Sequence, residues 1–255
     1  MLRRLVRRHA EGSITTIRFG RAAGLKWKRY SRFVSGYALG IYEPDLQEAI
    51  ARELKPSQVF YDVGGNAGFF SLLASRLTGP SGKVFTFEPL PSNSDVVSEQ
   101  IEINSISNIE LVKAAVGGAS GKAMLKPDGA ATAVLASGNG QSGGAKDVMI
   151  SVDVITLNDF IKDHPKPDLA KIDVEGFEAE VLDGASNLLG PDGPVLIIEI
   201  HHDEASRRVQ KTLRDNGYRL ADLAGNALPT GGPNVSRPSH VVAYPAGRGA
   251  IAGAS

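Results

Sequence analysis

The run Gln58-Val59-Phe60-Tyr61-Asp62-Val63 passes straight into Gly64-Gly65, and this junction constrains the chain more than any other feature. A β-rich run that is apolar on both faces must be covered on both, which is the condition of a strand inside a parallel sheet. The glycines stop it in a tight turn, and Phe69 to Leu77 then follows a helical period. The alternation continues with Lys83 to Glu88 as a second strand, Ser94 to Asn104 as a second helix and Ile109 to Val116 as a third strand. A preceding helix over Pro44 to Leu54 carries Leu46, Ala49, Ile50 and Leu54 on one face, with Pro44 in its first turn. This βαβαβ unit predicts an α/β fold with a mostly parallel, doubly wound sheet.

Residues 117–147 break the rhythm with a polar, glycine-rich stretch, expected to be a loop or hairpin insertion beside the sheet. Beyond it, Val148 to Val154 alternates like an edge strand and Leu157 to Ile161 is a short helix. Leu169 to Asp173 is a fourth core strand, Phe177 to Leu189 its helix, Val195 to Ile200 a fifth strand and Ala205 to Asn216 the next helix. Tyr218 to Leu223 and His240 to Tyr244 end the pattern as two strands, the second returning antiparallel across the loop 225–238. The expected organisation is a basic extension over 1–41, one domain over 42–247 containing the insertion, and a flexible tail over 248–255.

With no cysteine, a disulfide scaffold, a thiolate zinc site and a cysteine nucleophile are all excluded. The net charge of zero hides a division: residues 1–36 hold ten Lys or Arg against Glu11 alone, leaving 18 basic and 27 acidic residues behind them. A segment of charge +9 ahead of a body of −9 suits an anionic membrane surface, nucleic acid or that acidic body itself. The body's charge, and aromatics limited to Trp27, Tyr30 and Phe33, speak against nucleic acid. Leu2, Leu5, Val6, Ile14, Ile17 and Phe19 have a weak helical spacing that fits an interfacial helix. No stretch nears the roughly 20 apolar residues of a membrane span, and MLRRLVRRHA lacks the apolar centre of a secretory signal. The expected location is the cytoplasm, with peripheral membrane contact through the basic segment.

The turn Asp62-Val63-Gly64-Gly65-Asn66-Ala67-Gly68 stands where a doubly wound sheet opens its ligand crevice. The dinucleotide pattern G-x-G-x-x-G counted from Gly64 finds Asn66 and Phe69 where glycines belong, which argues against a nicotinamide cofactor. An acid two residues before the first glycine repels a pyrophosphate and suits an ammonium group. Glu88, 24 residues after Gly64, stands near the spacing at which an acid accepts the hydroxyls of a ribose. Taken alone, Asp62 reads as a turn or cap residue and Glu88 as the partner of a surface base. Together, at the ends of adjacent strands, they describe a ligand with a ribose, an ammonium and no phosphate, which is S-adenosylmethionine.

These residues resemble the FkbM type of class I methyltransferase. The resemblance runs through Tyr42-Glu43-Pro44, the glycine turn, Phe87-Glu88-Pro89, Asn104, Ala115-Val116-Gly117, Lys171-Ile172-Asp173-Val174-Glu175-Gly176-Phe177-Glu178 and Glu199-Ile200-His201, most of residues 42–245. It implies a Rossmann-like class I methyltransferase sheet in which Gly64, Gly65, Asn66 and Gly68 hold the methionine end of the cofactor. It also implies that Glu88 takes the ribose, that Ala115 and Val116 lie near adenine, and that Pro89 and Asn93 line the same pocket. Gly65 stands where the family often has alanine, and Asn158 where it often has aspartate. The implied reaction is methylation of a hydroxyl on a sugar, glycolipid or polyketide-like acceptor; the alternatives are an RNA methyltransferase and a non-catalytic cofactor-binding protein.

Methyl transfer to an alcohol needs the acceptor held in line and its proton removed. Asp173 and Glu175 end the fourth strand at the carboxyl edge of the sheet, Glu199 and His201 the fifth. Asp173 and Glu175 are read as acceptor-orienting or base carboxylates, with His201 the alternative base. The competing reading makes Glu175-Gly176 a turn and Glu178 a helix cap. Asp173, Glu175, Glu199 and His201 together would also suit a divalent cation, which is not the favoured reading. Tyr42 and Glu43, ahead of the first helix, either close over the cofactor or pack as ordinary core.

Overall fold

A computed structural model describes residues 11–125, 149–229 and 239–247. The central sheet contains β3 (Val59–Val63), β4 (Lys83–Phe87), β5 (Ile109–Val112), β9 (Leu169–Ile172), β10 (Val195–Glu199), β11 (Arg219–Ala221) and β12 (His240–Tyr244). Their spatial order is β11-β12-β10-β9-β3-β4-β5. Strands β10, β9, β3, β4 and β5 are mutually parallel, while β12 lies antiparallel between β10 and β11. The sheet is therefore doubly wound and mostly parallel, with an antiparallel last strand.

Alternate residues of the same strand feed two separate cores, which is why the strands read as unbroken apolar runs. Phe60, Val84, Leu169, Val195, Ile197 and Val242 face one layer, with the helices α2 (Pro44–Glu53) and α3 (Phe69–Thr78). Tyr61, Phe85, Ala170, Ile172, Leu196, Ile198 and Val241 face the other, against α6 (Glu178–Asp183) and α7 (Asp203–Asp215). The remaining α-helices among the described residues are α1 (Gly36–Leu39), α4 (Pro91–Ile103) and α5 (Leu157–Phe160).

Three elements differ from their sequence reading. The third strand is cut after Val112, whose carbonyl accepts from the Ala114 N–H at 2.9 Å, and this tight turn sends the chain out of the central sheet. Ala115–Val116 becomes β6 of a small second sheet, parallel to β8 (Ile150–Ile155), which also pairs antiparallel with β7 (Gly121–Leu125). The residues read as an edge strand are thus the middle of that sheet. The helix expected over 177–189 ends at Asp183, because the Gly117 backbone packs directly on Gly184; a short 3₁₀ turn over Ser186–Leu188 follows. Residues 126–147 of the insertion, most of the loop 225–238 and the tail lie outside the described residues.

The basic N-terminal segment packs on the domain through a hairpin of β1 (Ile14–Thr16) and β2 (Lys26–Lys28). Ile14 lies in a strand and Ile17 is buried, so neither belongs to the helix their spacing suggests; residues 1–10 are outside the described part. Two side-chain amides, one on α4 and one at its C-terminal cap, complete the edge of β2. Gln100 bonds both the N–H and the carbonyl of Lys28, at 3.0 and 2.7 Å, and Asn104 does the same for Lys26, at 2.8 Å each. Trp27 is buried between Tyr37 and Phe69, with ring centroids 5.2 and 5.9 Å away. Among the described residues no helix is long and apolar enough to cross a membrane. Replacing Trp27 by Ala should lower unfolding stability by about 3–5 kcal/mol in a denaturant titration followed by far-UV circular dichroism; a loss below about 1 kcal/mol would mean that the hairpin is not part of the folded unit.

Candidate active site

The crevice is built at the carboxyl ends of β3, β4 and β9. Gly64 has φ 83°, and a Cβ there would overlap the carbonyl oxygen of Asp173, so only glycine fits this crossing. The N–H groups of Gly64 and Gly65 both donate to the Phe87 carbonyl at 3.0 Å, which binds the turn to the end of β4. Asn66, with φ 50°, aims its N–H at Glu88 Oε2, 2.8 Å away. The Leu90 N–H donates to Glu88 Oε1 at 2.9 Å, and the Asn93 amide stands 3.4 Å from the same oxygen. Burial pushes the Glu88 carboxyl up to about 7, with these donors pulling it back.

A cavity of about 610 Å³ opens here, within the usual range for a small-molecule site. It collects Gly64, Asn66, Glu88, Pro89, Asn93, Ala115, Val116, Asp173 and Glu175 from the residues singled out in the sequence. Asp62, Gly65, Gly68 and His201 do not line it. Asp62, expected to face a ligand's ammonium, faces that of Lys171 at 3.4 Å and accepts from the Ser71 hydroxyl at 2.5 Å, which in turn accepts from Thr86 at 2.7 Å. Burial pushes the Asp62 carboxyl above the usual range, against the pull of Lys171 and Ser71. Gly65 is backed by the buried Thr86, whose methyl occupies the space a Cβ would need, and Gly68 is the left-handed residue that starts α3.

Lys171 is the part of the site that the sequence reading passed over. Its buried ammonium lies 3.2 Å from Asp173 Oδ2, 3.4 Å from Asp62 Oδ1 and 3.3 Å from the Gly64 carbonyl. Burial opposes its charge, but Asp173 and Asp62 outweigh that and hold its pKa above the ordinary lysine value. The available signal was a single cation inside the apolar run Leu169-Ala170-Lys171-Ile172, a position that requires anionic partners.

Behind Asp173 lies a second constellation. His201 Nδ1 is 2.7 Å from Glu178 Oε1, which also accepts from the Gly176 N–H at 2.8 Å. Its Nε2 stands 3.4 Å from Glu175, 3.7 Å from Asp173 and 3.8 Å from Glu199. The bond to Glu178, more than enough to offset burial and joined by the fields of Glu175 and Asp173, raises His201 to about 9, so it holds its proton at neutral pH. Burial, with Asp173 and Glu43 adding to it, lifts Glu199 to about 7. His240 Nε2 lies 3.8 Å from both Glu43 and Glu199, and burial lowers its pKa. The ligand atoms of Asp173, Glu199 and His201, and those of Glu43, Glu199 and His240, are each close enough together to hold a metal ion. Glu178, read as a helix cap, is thus a buried partner of His201, and Glu43 and His240 reach this cluster from opposite ends of the chain.

Residues 62–220 match the family model described as the methyltransferase FkbM domain. The hexuronic acid methyltransferase AglP of Haloferax volcanii is 27% identical over 175 residues, covering 68% of this chain and 68% of that protein. The 31-O-demethyl-FK506 methyltransferase FkbM of Streptomyces tacrolimicus is 29% identical over 197 residues, covering 66% of this chain and 75% of that protein. Among solved structures, the precorrin-6y C5,15-methyltransferase of Geobacter metallireducens has the same fold, with a TM-score of 0.52 at 15% identity over 86% of this chain and 94% of that one.

The Gly65 contact gives a test of how tightly the turn is packed. Gly65→Ala should cost about 1–3 kcal/mol of stability, because the buried Thr86 cannot swing aside. Thr86→Ser, which keeps the hydroxyl and removes the methyl, should recover most of that loss in the double variant, and additive losses in the double-mutant cycle would refute the contact.

Proposed function

Because the chain belongs to the FkbM methyltransferase family and is an S-adenosylmethionine-dependent methyltransferase, we propose that it methylates a hydroxyl oxygen of a sugar, glycolipid or polyketide-like acceptor. The observation that carries this reading is one cavity joining the buried carboxylate of Glu88 to Asp173 and Glu175. Glu88 suits the cofactor's ribose: each oxygen already accepts a backbone N–H yet retains accepting capacity, and a diol supplies two further donors. Gly64 and Asn66 would let the methionine end approach the backbone closely, while Pro89, Asn93, Ala115 and Val116 would flank the nucleoside. Asp62 would act one step back, by holding Lys171.

When bound, S-adenosylmethionine supplies a methyl group on an electrophilic sulfonium. Asp173 would orient the acceptor hydroxyl and accept its proton as the oxygen bonds to the methyl carbon, with Glu175 the second carboxylate at the same mouth. Lys171 holds Asp173 in place through the ion pair at 3.2 Å. His201, already protonated, fixes the carboxylates around it and is the weaker candidate for the base. Since Lys171 and His201 already place positive charge against Asp173 and Glu175, the reading adopted needs no divalent cation, and a chelator should leave the rate unchanged.

Transfer of a labelled methyl group to a panel of glycans, glycolipids and polyols, set against RNA, tests the acceptor class. Asp173→Asn should reduce transfer by about a hundredfold or more while S-adenosylhomocysteine still raises the melting temperature. Wild-type rates in that variant would remove Asp173 as the base, and transfer to RNA alone would remove the acceptor reading.

Glu88 gives a pH signature with two opposite slopes. Its carboxyl rises from the ordinary 4.5 to about 7 in the fold, under burial with a smaller push from Asp62 on β3. Between those values the folded protein binds the proton more tightly than the unfolded chain, so the Glu88 contribution to stability falls as pH rises through that window. Binding of S-adenosylhomocysteine, which needs the ionised form, should instead weaken by up to about tenfold for each unit below pH 7. Calorimetry should show both slopes flattened in Glu88→Gln, with weaker binding throughout; an unchanged pH profile would disconnect Glu88 from the cofactor.

A further inference from the structure

Among the described residues, four large hydrophobic side chains are exposed, and all fall between residues 14 and 41: Ile14 at 56%, Phe19 at 58%, Val34 at 53% and Ile41 at 45%. Isolated exposed apolar residues are ordinary, but confinement of all four to one short stretch is not. In the β1–β2 hairpin, Ile14 pairs with Lys28 and Thr16 with Lys26, on the side away from the buried Trp27. The Phe19 N–H donates to the Leu39 carbonyl at 3.1 Å, and Gly40 packs on the Phe19 carbonyl, so Phe19 and Ile41 project from adjoining backbone. Arg18, Arg21, Lys26 and Arg32 are exposed in the same stretch, which holds no acid; the one acid nearby on its N-terminal side is Glu11. The ten residues before it add four arginines along with Leu2, Leu5 and Val6 to this end of the chain.

We propose that this face seats the enzyme on an anionic lipid surface and that its acceptor is presented from that surface. The pairing of exposed aliphatic and aromatic groups with arginine and lysine is what an interfacial protein needs, since burial in the headgroup layer and attraction to anionic lipid add together. RNA fits less well: Ile14, Val34 and Ile41 neither stack on bases nor bond to phosphate. The face also adjoins the crevice. Arg32 Nη1 donates to the side chain of Asn93 at 3.0 Å, and Asn93 lines the cavity; Ile41 precedes by two residues Glu43 of the His201–His240 cluster. The second half of the proposal rests on the hydroxyl-methylating reading above and narrows it to lipid-borne glycans.

Co-sedimentation of the full chain with phosphatidylcholine vesicles, with and without phosphatidylglycerol, tests the surface. Binding should require phosphatidylglycerol and weaken with salt. Arg18→Gln with Lys26→Gln should lower partition about 30-fold, at roughly fivefold per basic residue, and Phe19→Ser with Ile41→Ser should lower it even at low salt. Both variants should keep the wild-type melting shift with S-adenosylhomocysteine, which separates loss of docking from loss of fold. No sedimentation at low salt, or unchanged partition in both variants, overturns the proposal; RNA retention without vesicle binding overturns it in favour of nucleic acid. A wild-type chain that binds vesicles but shows no shift with S-adenosylhomocysteine would refute the cofactor reading and leave the surface standing.

Discussion

The Lys171 ammonium, buried between Asp62, Asp173 and the Gly64 carbonyl, is the interaction on which the crevice depends. A charge removed from water is tolerable only if its partners are fixed, and removing one partner of such a group costs far more than the pair is worth against an apolar replacement. Here the partners sit on two neighbouring parallel strands, one of them at the start of the glycine turn. Gly64 crosses so close to the Asp173 backbone that the two strand ends have a single arrangement. The glycine turn and the Asp173 edge of the cavity therefore share one electrostatic centre.

Asp173 belongs to both halves. Its Oδ2 faces Lys171, and its Oδ1 faces the His201 imidazole. Along this line the positive and negative groups alternate, from Asp62 to Lys171 to Asp173 to His201 to Glu178. Alternation gives each of these carboxylates a cation on at least one side. Glu88 lies outside this line, buried with neutral donors only, and burial raises its pKa. A carboxylate held by N–H groups alone is suited to hydroxyl partners, since they add donors without adding charge.

Much of this was legible in the sequence because it is local. The strands and the glycine turn follow from two periodicities and from positions that only glycine tolerates, and Glu88 and Asp173 follow from lying at strand ends. What escaped is long-range. Gln100 and Asn104 pair with the backbone of β2 across more than 70 residues, so nothing near Trp27 reveals that the hairpin has an edge to dock on. Glu43 and His240 meet at Glu199 only after the whole sheet has formed. The break after Val112 was hidden for another reason: Ala114, Ala115 and Val116 continue the apolar pattern while a single backbone bond redirects the chain.

The division of charge between the first 36 residues and the remainder acquires a physical meaning from this docking. Part of the positive segment is satisfied by the acidic body, through the half-buried pair of Lys28 with Glu99 and the exposed pair of Arg21 with Glu48, the latter of the kind that contributes little stability. The binding of the hairpin rests instead on Trp27 and the amide ladder, which need no charge at all. Its basic residues are therefore not required to hold the segment in place, and their density on a face that also exposes Phe19 and Ile41 calls for an explanation outside the fold. Selection for stability alone would have buried those two side chains or replaced them with polar ones. The docked segment keeps these apolar groups outward and reaches the cavity through Arg32, whose guanidinium bonds the side chain of Asn93.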